Sequence, residues 1–432
     1  MSLIWLILYN LLVVPLIYVG FGIGSLFNVK IREGLKSRRN QFRVLSAEIS
    51  KAGDRKRILF HCTSAGEWLQ ALPIIEKLKS EYPRLFIMVS FYSPSGFRFA
   101  KNPPEVDLKF YLPLDSVIAA RRLFKMLKPE LWIISKFDIW PNHVMVASAM
   151  KIPMVVTSAT LSADSRRDKG ISKGFNTLVY NRISHIFPIS AEDKRRFQVM
   201  VPDEQKYTVA GDTRYDHVYN RGMHAAHAGD VNVFNDHTGV TFIAGSTWPP
   251  DEKHILPALA DLCLKYKNLK VIVAPHELNE NHLSDIEAVF ANAGIETERY
   301  SSFAGSRTSG LQVVIFNTIG MLARLYKQTN IAFIGGSFAR GIHNVMEPAV
   351  FGQPVIFGPN FLNSHEAGEL LKRNASFTIT NRNEFYSQMS LLITDARLRS
   401  EMGTKASELI AGNIGATDKI IKTLKEKYDI FS

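Results

Sequence analysis

In the stretch ILFHCTSAGEWLQALPIIEKL, Ile58 to Leu78, an apolar run breaks at a small-residue turn, TSAG, and resumes with helical spacing. One carboxylate, Glu67, is left at the junction. Small residues suit a tight strand-to-helix turn, and the partial positive charge of a helix N-terminus favours an ionised acid. An ionised, firmly held Glu can act as a general base. The same position also suits a first-turn capping acid, and residue chemistry alone leaves the two roles level. A second stretch, FIGGSFARGIHNVMEPAVFGQPVIFGPN, ends a strand in Gly335-Gly336-Ser337 and places Asn344 and Glu347 near the start of a helix expected from about His343. Backbone N–H groups at such a start suit a phosphate. A carboxylate one turn in can accept hydrogen bonds from ribose hydroxyls, and Gly358-Pro359 adds a second loop at the same end. The combination points to a nucleotide.

Two series of alternating elements would position these loops. From about residue 55, RILFHC, LFIMVSF, LWIIS, IPMVVTS and HIFPIS read as strands, with helices over Glu67 to Glu81, Ser116 to Leu127, Trp140 to Met150 and from Ala191. The pattern closes at YTVAGDTRYD. Residues 217–238 lose it and read as a linker. A second series, VTFIAGS, LKVIVAPHE, LQVVIF, IAFIGGS and PVIFG, then runs through 239–432. Such alternation predicts parallel sheets in two Rossmann-like α/β domains, 55–216 and 239–432, facing a cleft. In open α/β sheets, ligands bind beyond the carboxyl ends of the strands.

The first 29 residues carry no charged side chain and are apolar for about the length of a bilayer core, so 1–29 reads as a membrane anchor. Asn10, Pro15 and the glycines at 20, 22 and 24 leave a tilted or half-inserted helix open. Residues 30–54 form a basic juxtamembrane segment in which Lys30, Arg32, Lys36, Arg38, Arg39 and Arg43 face only Glu33 near its start. Basic flanks stay cytoplasmic and attract anionic lipid. A formal net charge of +12 agrees, and no nucleic-acid motif offers another use for it. The two cysteines, Cys62 and Cys263, fit no zinc or disulfide pattern. No DxD pairing stands out, so neither a metal nor another cofactor is expected.

Several separated motifs, in order along nearly the whole chain, resemble the 3-deoxy-D-manno-oct-2-ulosonic acid (Kdo) transferases of lipopolysaccharide biosynthesis. They are HCTSAGE, DIWPN (Asp138 to Asn142), SATLS (Ser158 to Ser162), GDTRYD (Gly211 to Asp216) and FIGGSF…GIHNVMEPA, together with the N-terminal anchor. The resemblance implies a membrane-anchored inverting enzyme of the two-domain GT-B fold on the cytoplasmic face of the inner membrane. It implies that Glu67 is the base that deprotonates a glucosamine 6-hydroxyl of the lipid A precursor as that oxygen attacks CMP-Kdo. By the same resemblance the donor is met by Arg214, Pro275, His276, Ile319, Gly320, Met321, Gly335, Gly336, Ser337, Asn344 and Glu347. The acceptor is met by Ser64, Gly66, Lys136 and Asp138.

The chain also departs from the family pattern. Lys136 replaces an acid, Pro275-His276-Glu277 lacks the family's Arg, and Ile319-Gly320-Met321 lacks its Glu. Arg166, Arg167, Lys169, Lys173 and Phe175 form a basic loop that could meet an acylated bisphosphate or simply face solvent. Another GT-B nucleotide-sugar enzyme, a 2-epimerase, or a membrane-tethered scaffold without turnover are the competing expectations.

Overall fold

The computed structural model describes residues 2–136, 138–162, 164–227, 229, 231, 233–234, 239–304 and 309–431, without the side chains of Ser2, Leu3 and Ile171. The chain divides into two compact units, Met1–His217 with Ile414–Ser432, and Val218–Asn413.

The first unit is built on a six-stranded parallel sheet, β1 Arg57–Cys62, β2 Phe86–Phe91, β3 Leu108–Tyr111, β4 Leu131–Ser135, β5 Met154–Ala159 and β6 His185–Pro188, in the order β3-β2-β1-β4-β5-β6. Both faces are buried, so the strands read as continuous apolar runs. Along β1 the side chains alternate, Leu59 to one core and Ile58, Phe60 and Cys62 to the other. The second unit carries a seven-stranded parallel sheet, β7 Thr241–Thr247, β8 Lys270–Pro275, β9 Thr297–Arg299, β10 Val313–Ile315, β11 Ile331–Ile334, β12 Val355–Phe357 and β13 Ser376–Thr378, in the order β13-β12-β11-β7-β8-β10-β9. Its central strands bury Phe242, Val271 and Phe333. The ten strands expected from sequence are all present. The three additional ones, β3, β9 and β13, are edge strands of three or four residues.

Four helices bear on the site and on the apolar N-terminal segment: α1 Ile4–Phe27, α2 Ala65–Glu81, α3 Thr213–His227 and α4 Pro249–Lys265. Helix α1, 24 residues, is long and apolar enough to cross a membrane. Two boundaries differ from expectation. The expected linker 217–238 begins inside α3, whose amphipathic turns continue to His227. Residues 228, 230, 232 and 235–238 of that linker lie outside the described residues.

The chain's last segment, expected with the second domain, packs on the first. Ile420, Ile421, Leu424 and Ile430 bury against Ile58, Phe60 and Leu78. Asp216 accepts hydrogen bonds from the backbone N–H groups of Gly415 and Thr417, at 2.6 and 2.7 Å, and from the Thr417 hydroxyl at 2.6 Å.

Candidate active site

At the carboxyl end of β1 the chain turns through Thr63 and Ser64 into α2. Ser64 is the N-cap, its hydroxyl 3.5 Å from the Glu67 N–H, while Glu67 Oε2 accepts from the N–H groups of Thr63 and Ser64, the latter at 3.3 Å. This is a reciprocal capping box. Capping does not exhaust Glu67, because its carboxylate is buried beside a second acid. Thr63 joins the two: its N–H donates to Glu67 and its hydroxyl to Asp138 Oδ2. Asp138 Oδ2 also receives Trp140 Nε1 at 3.0 Å and meets His61 Nε2 at 3.2 Å. A carboxylate there calls for a proton on Nε2, and Nδ1 lies 3.0 Å from Ser90 Oγ.

The two acids are pushed in opposite directions. Burial raises the Glu67 pKa and the Asp138 charge adds to it, against the Thr63 N–H, His61 and Lys136, which lower it. Burial also acts on Asp138, but the hydrogen bonds and charge of His61 and the donors on Thr63 and Trp140 outweigh it and hold Asp138 below the usual carboxylate range. Neighbouring carboxyls separated in this way are of the kind that acid/base chemistry uses.

Lys136 follows β4 in the left-handed region at φ 68°, and its N–H donates to Thr157 O. Its ammonium is near enough to lower Glu67. A Cβ on Gly66 would make only an ordinary contact, 3.9 Å from Ser64 Oγ, whereas Gly96 lies against the Ser64 backbone, where a Cβ would come within 3.0 Å. Close packing thus falls on Gly96, and Gly66 carries no steric demand.

Arg214 lies in this first unit. Its Nε and Nη2 donate to Asp212 Oδ2 at 2.9 and 2.7 Å, and Asp212 Oδ1 accepts from Gln70, one turn beyond Glu67 on α2. It is therefore tied to the helix of Glu67, while the other ten donor positions expected from sequence all fall in the second unit. Phe175 of the expected acceptor loop stacks on Tyr9 of α1, ring centres 5.3 Å apart.

In the second unit the carboxyl ends of β11, β7 and β8 lie side by side, with β7 at the point where the strand order reverses. Gly335 is required there, since a Cβ would come within 2.2 Å of Ser246 O, and Gly336 has φ +86°. The N–H groups of this turn are taken up within the unit. Asp251, in the first turn of α4, accepts from Gly336 N–H at 2.7 Å, Phe338 N–H at 3.0 Å and Trp248 N–H at 3.0 Å. Ser337 is buried and accepts from Gly358 N–H at 2.7 Å, binding the two glycine loops together.

The helix expected from about His343 begins only at Met346 and ends at Ala349. Asn344 Oδ1 accepts from Met346 N–H at 3.1 Å, and Glu347 pairs with Arg221 at 3.1 Å. Burial raises the Glu347 pKa, opposed by Arg221 and Asn344. Ile319-Gly320-Met321 stands at the end of β10, beside β8, Gly320 at φ +89° and Met321 capping the short helix Leu322–Tyr326.

One feature of this edge is not legible in the motifs. Trp248 Nε1 donates to His343 Nε2 at 2.8 Å with the two rings 9° from coplanar, and His276 stacks over both, at 4.5 and 4.7 Å between ring centres. His343 is neutral, pushed down to about 4 by burial and by His276 beside it, as its acceptor role requires. His276 itself is exposed. Proximity of three aromatic residues after three different strands could have been sought from the strand register, but Trp248 belongs to none of the motifs, and His343, inside GIHNVMEPA, stands there only as the expected start of a helix.

Residues 34–217 match the family described as 3-Deoxy-D-manno-octulosonic-acid transferase (kdotransferase). The chain is 26% identical over 377 residues to the 3-deoxy-D-manno-octulosonic acid transferase of Haemophilus influenzae, covering 85% of this chain and 86% of that protein. It is 25% identical over 337 residues to the protein of the same name from Aquifex aeolicus, covering 77% and 85%. In fold it is similar to the UDP-GlcNAc 2-epimerase of Neisseria meningitidis, at TM-score 0.57 and 14% identity over 86% of this chain and all 100% of that one. It is also similar to MurG of Acinetobacter baumannii, at TM-score 0.54 and 13% identity over 86% and 99%.

Two parallel-sheet units with these neighbours define an α/β GT-B protein with an apolar N-terminal helix, and the sequence relatives make it a glycosyltransferase. Within that class the family match and the named relatives support a Kdo transferase.

Proposed function

We propose that this chain transfers Kdo from CMP-Kdo to the lipid A precursor, a tetraacyl disaccharide bisphosphate, with inversion at the anomeric carbon. The observation that carries the reading is the pair Glu67 and Asp138, one carboxyl raised and the other lowered around Thr63. A carboxylate is too weak a base to ionise an alcohol beforehand, so Glu67 accepts the 6-hydroxyl proton while the new C–O bond forms and the bond to CMP breaks. A raised pKa strengthens Glu67 as an acceptor, and the Thr63 N–H and Lys136 act against the rise. Asp138, with Ser64, Gly66 and Lys136, orients the acceptor. Arg214 meets a phosphate of donor or acceptor.

On the donor side the exposed imidazole of His276, backed by Trp248 and His343, offers a flat partner to a base. Asn344 and Glu347 suit the ribose, beside Gly335, Gly336, Ser337, Pro275 and the Ile319 to Met321 turn. The apolar helix and the basic residues after it support a location at the cytoplasmic face of the inner membrane, against anionic lipid.

The test is mass spectrometry of a detergent assay with purified protein, CMP-Kdo and the tetraacyl acceptor, run with Glu67→Gln and Glu67→Ala. Wild type should add Kdo mass. Gln also serves at the third position of a capping box, so Glu67→Gln should fold and bind CMP yet lose roughly 100-fold or more in turnover. Glu67→Ala should in addition lose about 1 kcal/mol of stability with the cap. A folded, CMP-binding wild type that makes no product would sink the reading and leave Glu67 a helix cap.

A further inference from the structure

Helix α1 does not stand clear of the first unit. An inward stripe of Trp5, Tyr9, Asn10, Val14, Phe21 and Gly24 follows one side of the helix from end to end. Trp5 lies over Gly174, whose Cβ, if present, would be 3.4 Å from the indole nitrogen. The Tyr9 hydroxyl donates to buried Asp115 at 2.7 Å, and Asn10 exchanges reciprocal amide hydrogen bonds with Asn142 at 3.1 and 3.0 Å. Tyr18 reaches Ser116 at 3.4 Å, and Phe21 packs edge-on against Tyr92. The helix widens to a π turn over Tyr9–Val13, just before Pro15, where the polar contacts are made.

The opposite side, including Leu8, Leu11, Leu12, Leu16, Val19 and Ile23, is exposed. The following segment splits likewise. Arg38 turns inward, donating to Leu112 O and Tyr92 O at 2.7 Å, which corrects its expected place among the lipid-facing cations. Lys30, Arg32, Lys36, Arg39 and Arg43 remain exposed.

We propose that α1 is a monotopic membrane contact docked along the first unit, its outer apolar face in one leaflet of an anionic membrane, and is not a bilayer span. The inward stripe runs for roughly 28 Å at about 1.5 Å per residue, close to the ~30 Å of a hydrocarbon core. A helix cannot pass through that core and also lie against the aqueous unit over the same length. Spanning would pull Tyr9 from Asp115 and leave Asn10 in hydrocarbon without its amide partner, both unfavourable. Docking keeps these bonds and still offers an apolar face of a kind that calls for cover, flanked by cations that match anionic headgroups. The contacts continue inward: Phe21 to Tyr92, Tyr92 stacked on Trp140 at 4.4 Å, and Trp140 bonded to Asp138. The membrane face is thereby held in fixed register with Glu67, so an acylated acceptor reaches the base without leaving its leaflet.

The test is cross-linking of the full chain in isolated native membranes, using Asn10→Cys with Asn142→Cys and a short bis-maleimide. The native Cys62 and Cys263 are buried. Tyr18→Cys with Ser116→Cys is the second pair, kept for the case that the first fails to fold. Docking predicts that most of the chain is cross-linked in membranes, and that cross-linked protein still floats with phosphatidylglycerol-containing vesicles and less with neutral ones. A pair that links in detergent but not in membranes overturns the proposal, as does cross-linked protein that leaves the membrane or that covers the face by dimerising. Neither pair includes Glu67 or a donor residue, so the result stands apart from the identity of the transferred sugar.

Discussion

At the scale of single residues, Lys136 matters most because it sets a cation beside the buried Glu67. Its ammonium lowers the Glu67 pKa against the larger effect of burial. Removing it should therefore raise that pKa further. Since Glu67 must be ionised to take a proton, kcat/KM falls as pH drops through the Glu67 pKa. Lys136→Met should shift this acid limb to higher pH, whatever the plateau loses with the acceptor contact, read from kcat/KM against pH. An unmoved limb, or a loss equal at all pH values, would remove Lys136 from the electrostatics of the base. The sequence showed Glu67 and Asp138 as separate motif residues. It did not show that Thr63 bonds both or that His61 holds Asp138, because those contacts join positions 75 and 77 residues apart.

Among elements, the long apolar strands were legible because burial on both faces leaves an unbroken run. β9, with the residues TER and no buried side chain, gives no such signal. The glycine turn after β11 was legible as a turn, but nothing in the sequence marks Asp251 as the occupant of its N–H groups. A first-turn Asp after Pro249-Pro250 looks like an ordinary helix acid, and only the β7–β11 pairing brings it under Gly336. Burial raises its pKa, against the three N–H donors that lower it. Asp251→Asn keeps the shape but turns an amide N–H₂ toward at least one of those donors. Leaving a buried N–H unpaired costs about 1–3 kcal/mol. The variant should melt at a lower temperature and bind CMP more weakly. Unchanged melting and unchanged CMP titration would show the turn to be self-supporting.

For the whole molecule, chain order misassigns the C-terminus. Nothing in the composition of 414–432 separates it from the helices before it, and its partners lie about 200 positions away, with Asp216 bonding Gly415 and Thr417. What decides its place is burial: Leu424 is fully enclosed in the core beneath β1 and α2, while Ile414 remains 37% exposed. Stability of the first unit should thus depend on a helix encoded after the second. Leu424→Ala should cost about 2–5 kcal/mol, the range for a buried leucine truncated to leave a cavity, and Ile414→Ala should cost little. Four of the five tryptophans, Trp5, Trp68, Trp132 and Trp140, lie in the first unit, so tryptophan fluorescence during urea unfolding reports chiefly on it. The fluorescence midpoint should fall for Leu424→Ala alone. Equal midpoints for the two variants would mean that the C-terminal helix rests on the first unit without stabilising it.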